Sequence, residues 1–137
     1  MTYLVDTDYV VDYLKGQRNV ATLLEPLLPE GIAISMITFA EVYEGIYYGH
    51  DRSQHETGFR NLLRTISVLD ITRSIARHFA LLRGQLRATP QGKSLVHPKD
   101  NYDLFIAATA LYHNLTLVTR NRKDFERIPD LKLYQET

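Results

Sequence analysis

The chain has 137 residues, 45% of them hydrophobic, with 16 acids, 16 Lys or Arg and no cysteine. That length suits one domain, residues 1–137, with a real core; the composition excludes disulfides and Cys-based zinc sites, and no apolar run is long enough to span a membrane. The zero net charge hides an asymmetry: residues 1–50 hold seven acids against two bases, residues 51–137 nine against fourteen, which suits a cation site beside a polyanion track or, equally, two kinds of solvated helix face.

No basic segment leads into an apolar one at the N-terminus, so a soluble, cytoplasmic protein is expected. Tyr3, Leu4 and Val5 run without alternation, as in a strand buried on both faces. Asp6 stands where that strand leaves the sheet. Tyr9, Val10, Tyr13 and Leu14 then recur at helical spacing up to Gly16, with Asp12 on the outer face of the helix. A carboxylate at a strand's C-terminal end, ahead of a helix, is where open α/β sheets place ligand sites. Asp8 stands nearer the helix start than Asp6 and is the expected cap.

Residues 19–28 read as helical, ended by Pro26 and Pro29, and residues 32–35 as a second buried strand. Phe39, Val42, Tyr43 and Ile46 share one face of the next helix. Thr38 and Glu41 have the spacing of a capping box, which would make Glu41 a helix brace. A helix over 53–65 and a strand over 67–69 follow. Thr72 caps a long helix through Arg87, with Ile75, Phe79, Leu82 and Leu86 inward. Residues 89–99, with Pro90, Gly92 and Pro98, read as a loop. Residues 100–113 form a helix, capped by Asp100 and packed through Leu104, Ala107, Ala108 and Leu111. A strand over 116–119, a short segment over 124–127 and an edge strand over 132–134 complete the chain. Strands alternating with helices predict a mostly parallel sheet covered on both faces.

Asp6, Glu41 and Asp103 each lie at a strand end or in the first turn of a predicted helix, beside apolar residues. Caps and helix-dipole effects would explain each one singly. Asp124, just past another strand, makes a fourth, with capping its turn as the alternative role. Carboxylates gathered in one place repel unless a cation lies among them. Without cysteine or clustered histidine, hard oxygen ligands select Mg²⁺ or Mn²⁺. His50, His55, His78, His97 and His113 show no zinc spacing.

Four blocks carry a family resemblance: Leu4-Val5-Asp6-Thr7, Thr38-Phe39-Ala40-Glu41-Val42-Tyr43-Glu44-Gly45, Asp103-Leu104-Phe105-Ile106-Ala107-Ala108-Thr109-Ala110, and the stretch from Leu117 to Phe125 that contains Arg120, Asn121, Arg122, Lys123 and Asp124. In this order they resemble the blocks of PIN-domain ribonucleases, and more closely those of VapC toxins from toxin–antitoxin pairs. The resemblance implies a three-layer α/β/α sandwich with a five-stranded sheet, the first strand central. It implies that Asp6, Glu41 and Asp103 surround Mg²⁺, replaceable by Mn²⁺, with Asp6 and Asp103 as ligands. Glu41 would then bind a metal water or act as base, and Asp124 would be the fourth catalytic acid.

It further implies hydrolysis of RNA to 5′-phosphate and 3′-hydroxyl ends, with tRNA and rRNA as candidate targets, a VapB-like antitoxin partner and a homodimer. Arg120, Asn121, Arg122 and Lys123, with Lys93 and Lys99, are the candidate substrate contacts; solvated loop charges are the alternative for the bases. Tyr43, Ile46, Tyr47 and Tyr48 form an aromatic run expected to meet the antitoxin. The rival classes are a nuclease acting on structured DNA with the same carboxylates, and a non-catalytic α/β interaction module.

Overall fold

Apolar residues on both sides of every central strand dictate the layering. A computed structural model describes residues 1–136. Its five strands are β1 (Tyr3–Val5), β2 (Ile32–Ser35), β3 (Ser67–Leu69), β4 (Thr116–Val118) and β5 (Lys132–Leu133). They form one sheet in the order β3-β2-β1-β4-β5, with every pairing parallel. Successive residues point to opposite faces, and both faces are buried. Leu4, Ala33 and Leu117 join one apolar cluster; Val5, Ile32, Ile34 and Val118 join the other.

Helices α1 (Thr7–Leu14), α2 (Arg18–Leu24), α3 (Met36–Tyr48) and α4 (Arg52–Leu63) supply the second cluster through Val10, Val20, Val42 and Phe59. Helices α5 (Arg73–Arg87) and α6 (Asn101–His113) cover the other face through Leu82, Leu86, Leu104 and Ala107, and the short α7 (Arg122–Phe125) adds Phe125. The result is the expected three-layer sandwich. β1 is central, and the chain leaves it for β2 on one side and later returns to β4 on the other. The crevice beyond the carboxyl ends of β1 and β4 is therefore a topological switch point.

Several local expectations shift. The stretch after Val20 divides into α2 and a 3₁₀ segment, Glu25–Glu30, because Pro26 and Pro29 cannot donate α-helical hydrogen bonds. The 89–99 loop is partly folded: 3₁₀ turns at Lys93–Leu95 and Pro98–Asp100 seat Leu95 in the core. The last helical turn opens at Arg122 rather than Asp124. Thr72 caps α5 as its sequence indicates, its Oγ1 accepting from Ile75 N–H at 3.2 Å. No helix among the described residues is long and apolar enough to cross a membrane.

Candidate active site

The residues just beyond β1, β2 and β4 build the site. Asp6 N–H still donates to Val118 O at 2.9 Å, and the chain then turns into α1. Asp6, not Asp8, is the N-cap of α1; Asp6 Oδ1 accepts from Thr7 N–H at 2.8 Å, while Asp8 lies exposed in the first turn. The point where the sheet ends decides the cap, and apolar spacing alone misplaced it by two residues. Asp6 Oδ2 accepts from the Thr119 hydroxyl at 2.7 Å, and Thr119 Oγ1 accepts from Asn121 N–H at 3.0 Å. Burial pushes the buried Asp6 carboxyl above its ordinary range, and the bonds from Thr119 and Thr7 pull back against that shift.

Glu41 is not part of a capping box. Helix α3 begins before Thr38 and is capped by Ser35, whose Oγ accepts from Thr38 N–H at 3.1 Å. Glu41 therefore sits inside the helix and reaches across to α1, where its Oε1 accepts from the Thr7 hydroxyl at 2.8 Å. Burial raises its pKa, the Thr7 bond lowers it, and the charges of Asp6, Asp8 and Glu44 raise it further.

Asp103, in the first turn of α6, receives no hydrogen bond from any described residue, yet its oxygens are not sealed from solvent. Asp100 Oδ2 is the one buried side-chain polar atom without a partner among the described residues. Burial first, then the charges of Asp6, Glu41, Asp100 and Asp124, push the Asp103 carboxyl up to about 7. Acids from separate segments of the chain thus lie within electrostatic reach of one another around the switch point. Asp100 occupies the cap position of α6, but its side chain makes no capping hydrogen bond.

Asn121 and Asp124 form a pair: Asn121 Nδ2 donates to Asp124 Oδ2 at 3.2 Å. Asn121 holds the cap position of α7 without a capping side-chain bond of its own. The Asp124 charge reaches Asp103, so the loop acid belongs to the same field.

The candidate substrate bases divide. Arg122 Nη1 donates to Tyr134 O at 2.6 Å and its Nη2 lies 3.6 Å from Glu126, so it pins the C-terminal strand. Arg120 pairs with Asp12 and its guanidinium lies 4.7 Å from the centre of the Tyr9 ring. Asp12, read as an outward acid, is therefore a partner of the β4–α7 loop and only partly exposed. Lys93, Lys99 and Lys123 are exposed and make no ion pair among the described residues. The histidines gather nowhere: the described residues hold no group of three His, Asp or Glu side chains set as a ready metal cage. The donor set nevertheless fits a hard divalent cation. Mg²⁺ keeps several waters and needs only one or two carboxylates, and Asp103 is an unpartnered carboxylate facing other acids.

Sequence reasoning missed the hydroxyls that hold these acids: Thr7, Ser35, Thr38 and Thr119. One signal was present, a short hydroxylated residue next to Asp6 and another three before Glu41.

The PIN domain family model matches residues 3–131. The chain is 31% identical over 134 residues to ribonuclease VapC1 of Haemophilus influenzae strain R2866, covering 96% of each protein. It is 33% identical over 135 residues to ribonuclease VapC2 of Rickettsia felis, covering 97% of this chain and 96% of that one. Its fold matches, at a TM-score of 0.84 and 31% identity with both chains covered in full, a chain in the crystal structure of VapBC2 from Rickettsia felis bound to a DNA fragment from their promoter.

Proposed function

Because this chain belongs to the PIN domain family, among its VapC ribonucleases, we propose that it is the metal-dependent endoribonuclease toxin of a VapBC-type pair, cleaving RNA to 5′-phosphate and 3′-hydroxyl ends. The observation that carries the reading is the gathering of Asp6, Glu41, Asp103 and Asp124 at the switch point beyond β1 and β4, where burial and the neighbouring charges push the Asp103 carboxyl upward. A structural surface cluster would relax away from such repulsion; an active site keeps it for a cation.

A bound Mg²⁺, or Mn²⁺ in its place, supplies charge neutralisation at the scissile phosphate and lowers the pKa of water. Asp6 and Asp103 would hold it. Thr119 and the Thr7 N–H fix the orientation of Asp6, one donor to each oxygen. Glu41, its Oε1 held by Thr7, accepts the proton of the attacking water. A new bond forms between water oxygen and phosphorus, the bond to the 3′-oxygen breaks, and that oxygen takes a proton from solvent. The exposed Lys93, Lys99 and Lys123 contact backbone phosphates; Arg120 acts mainly by bracing the loop against Asp12 and Tyr9. The protein works in the cytoplasm as a homodimer, on tRNA or rRNA.

The test is a labelled RNA incubated with purified protein in chelator, Mg²⁺ or Mn²⁺. Cleavage that needs the metal and leaves 5′-phosphate ends is expected. Ends carrying 2′,3′-cyclic phosphate, or no cleavage, would defeat the proposal. In the same assay Asp124→Asn should lower the rate and Mn²⁺ affinity about tenfold, while the melting temperature moves by less than about 2 °C. Unchanged rate and affinity would leave Asp124 as a loop brace alone.

The antitoxin reading needs one adjustment. Tyr43 is packed among Phe39, Phe59 and Tyr47, and Ile46 is buried, so core packing consumes both. Tyr47 and Tyr48 remain, 47% and 89% exposed. Neither lines the neighbouring groove of about 370 Å³ formed by Val11, Leu14, Val42, Ile46, His50 and His55; Tyr48 instead borders a shallow depression with Glu41, Glu44, Gly45 and Gly49. The antitoxin is proposed to lay an apolar segment over Tyr47 and Tyr48. Tyr48→Ala should weaken binding of the cognate antitoxin at least about tenfold in calorimetric titration, with the melting temperature of the free protein moved by less than about 2 °C. Equal affinity would move the contact elsewhere.

A further inference from the structure

Ser35, the last residue of β2, and Thr38, in the first turn of α3, are fully buried polar residues, each 0% exposed. Ser35 has a clear structural duty as the cap of α3. The hydroxyl of Thr38 has none: its backbone N–H makes the capping bond, and valine would fill the same volume. A buried hydroxyl is unfavourable unless it is bonded, and this one is bonded toward the site. Ser35 Oγ donates to Thr38 Oγ1 at 3.3 Å, Thr38 Oγ1 lies 3.0 Å from Thr7 Oγ1, and Thr7 Oγ1 donates to Glu41 Oε1 at 2.8 Å.

The direction of this chain follows from proton counting. Each hydroxyl has one proton. That of Thr7 is committed to Glu41, so Thr38 donates to Thr7, and Thr38 accepts from Ser35. All the donors therefore point one way, and the chain ends on a carboxylate. Glu41 Oε2 receives no bond from the described residues and is not sealed from solvent, since Asp100 Oδ2 alone among them is buried without a partner. One oxygen of Glu41 is thus held from within, and the other faces the crevice.

We propose that Ser35, Thr38 and Thr7 form a one-directional hydroxyl relay that positions Glu41 for its work on the attacking water, with Thr38 as its buried link. This rests on the ribonuclease reading above. Chained hydrogen bonds polarise one another in a water-poor interior. Removing the middle link should loosen Glu41 without touching metal or RNA.

The experiment compares Thr38→Val, Thr38→Ser and Thr7→Val. With a labelled single-stranded RNA and Mn²⁺, Thr38→Val should lower kcat about tenfold or more. Its KM and its Mn²⁺ affinity, read by calorimetry, should stay within about twofold, since neither contact is touched. Thr38→Ser should restore the rate, and Thr7→Val should reproduce the loss, which serves equally if Thr38→Val does not fold. Wild-type kcat in both valine variants, an equal loss in Thr38→Ser, or a loss confined to KM would overturn the relay. A second readout needs no activity. The melting-temperature shifts of Thr38→Val and Glu41→Ala should fail to add by about 2 °C or more when Thr7 is present and should add in a Thr7→Val background, because the two side chains, one turn apart on α3, are hydrogen-bonded to each other only by way of the Thr7 hydroxyl. Additive shifts would overturn the proposal. Wild-type protein inert toward RNA would defeat the ribonuclease reading instead, and the additivity measurement would still decide the relay.

Discussion

Asp103→Asn is expected to abolish RNA cleavage and to raise the melting temperature of the metal-free protein. Both effects have one cause. The Asp103 carboxylate has no hydrogen-bond donor among the described residues and faces Asp6, Glu41, Asp100 and Asp124. Without a cation its charge is a liability to the fold; with one it is a ligand. The amide is neutral and of similar size, so it relieves the repulsion and removes the ligand. Several kcal/mol of charge stabilisation at the phosphate should go with the metal, a loss on the order of 10³-fold or more in cleavage rate. At pH 8 in chelator the variant should melt about 3 °C or more above wild type. Full activity with bound Mn²⁺ would remove Asp103 from the metal site, and a lower melting temperature would show that its charge stabilises the fold. Asp12→Asn is not a neutral control here, because Asp12 anchors Arg120.

The second large effect is in pH and metal dependence of stability. In the unfolded chain Asp103 ionises near the ordinary value of about 3.9, and in the fold near about 7. Between those values the folded state keeps a proton that the unfolded state has released. The contribution of Asp103 to stability is therefore fully present below the unfolded pKa and is lost as pH rises through 7. Asp6 and Glu41 are raised also and act in the same direction. Metal-free protein should thus melt higher at pH 5 than at pH 8, and the difference between wild type and Asp103→Asn isolates the Asp103 share. Mn²⁺ should reverse the trend, since it binds the ionised carboxylates. At a hundred times its dissociation constant it adds about 2.7 kcal/mol, or roughly 5–10 °C in a protein of this size. A metal-free stability that rises with pH over this window, or no response to Mn²⁺, would refute the picture of opposed carboxylates and favour a non-catalytic module.

Much of the fold was legible because it depends on local pattern. Unbroken apolar strands alternating with amphipathic helices specify a parallel sheet with two covered faces, whatever the loops do. Thr72 marked the start of α5, and the prolines divided the stretch after Val20, since both act through backbone chemistry within a few residues. Asp6, Glu41 and Asp103 could be picked out singly for the same reason: each is a carboxylate set among residues that must be buried.

What the sequence could not decide were matters of partnership across the chain. Asp6 rather than Asp8 caps α1 because β1 ends at Val5, hydrogen-bonded beside β4, and that pairing spans more than a hundred residues. Glu41 looked like a helix brace until the start of α3 moved to Ser35 and its side chain met Thr7. Asp12 looked outward until the loop after β4 brought Arg120 over it. By itself the sequence determined which residues are buried and which carry charge, because those are properties of each side chain and its near neighbours. Only the tertiary structure decided which donor meets which acceptor, because a hydrogen bond or ion pair requires atoms within about 3–4 Å, and only chain folding sets such distances between β1, α3, α6 and the loop after β4.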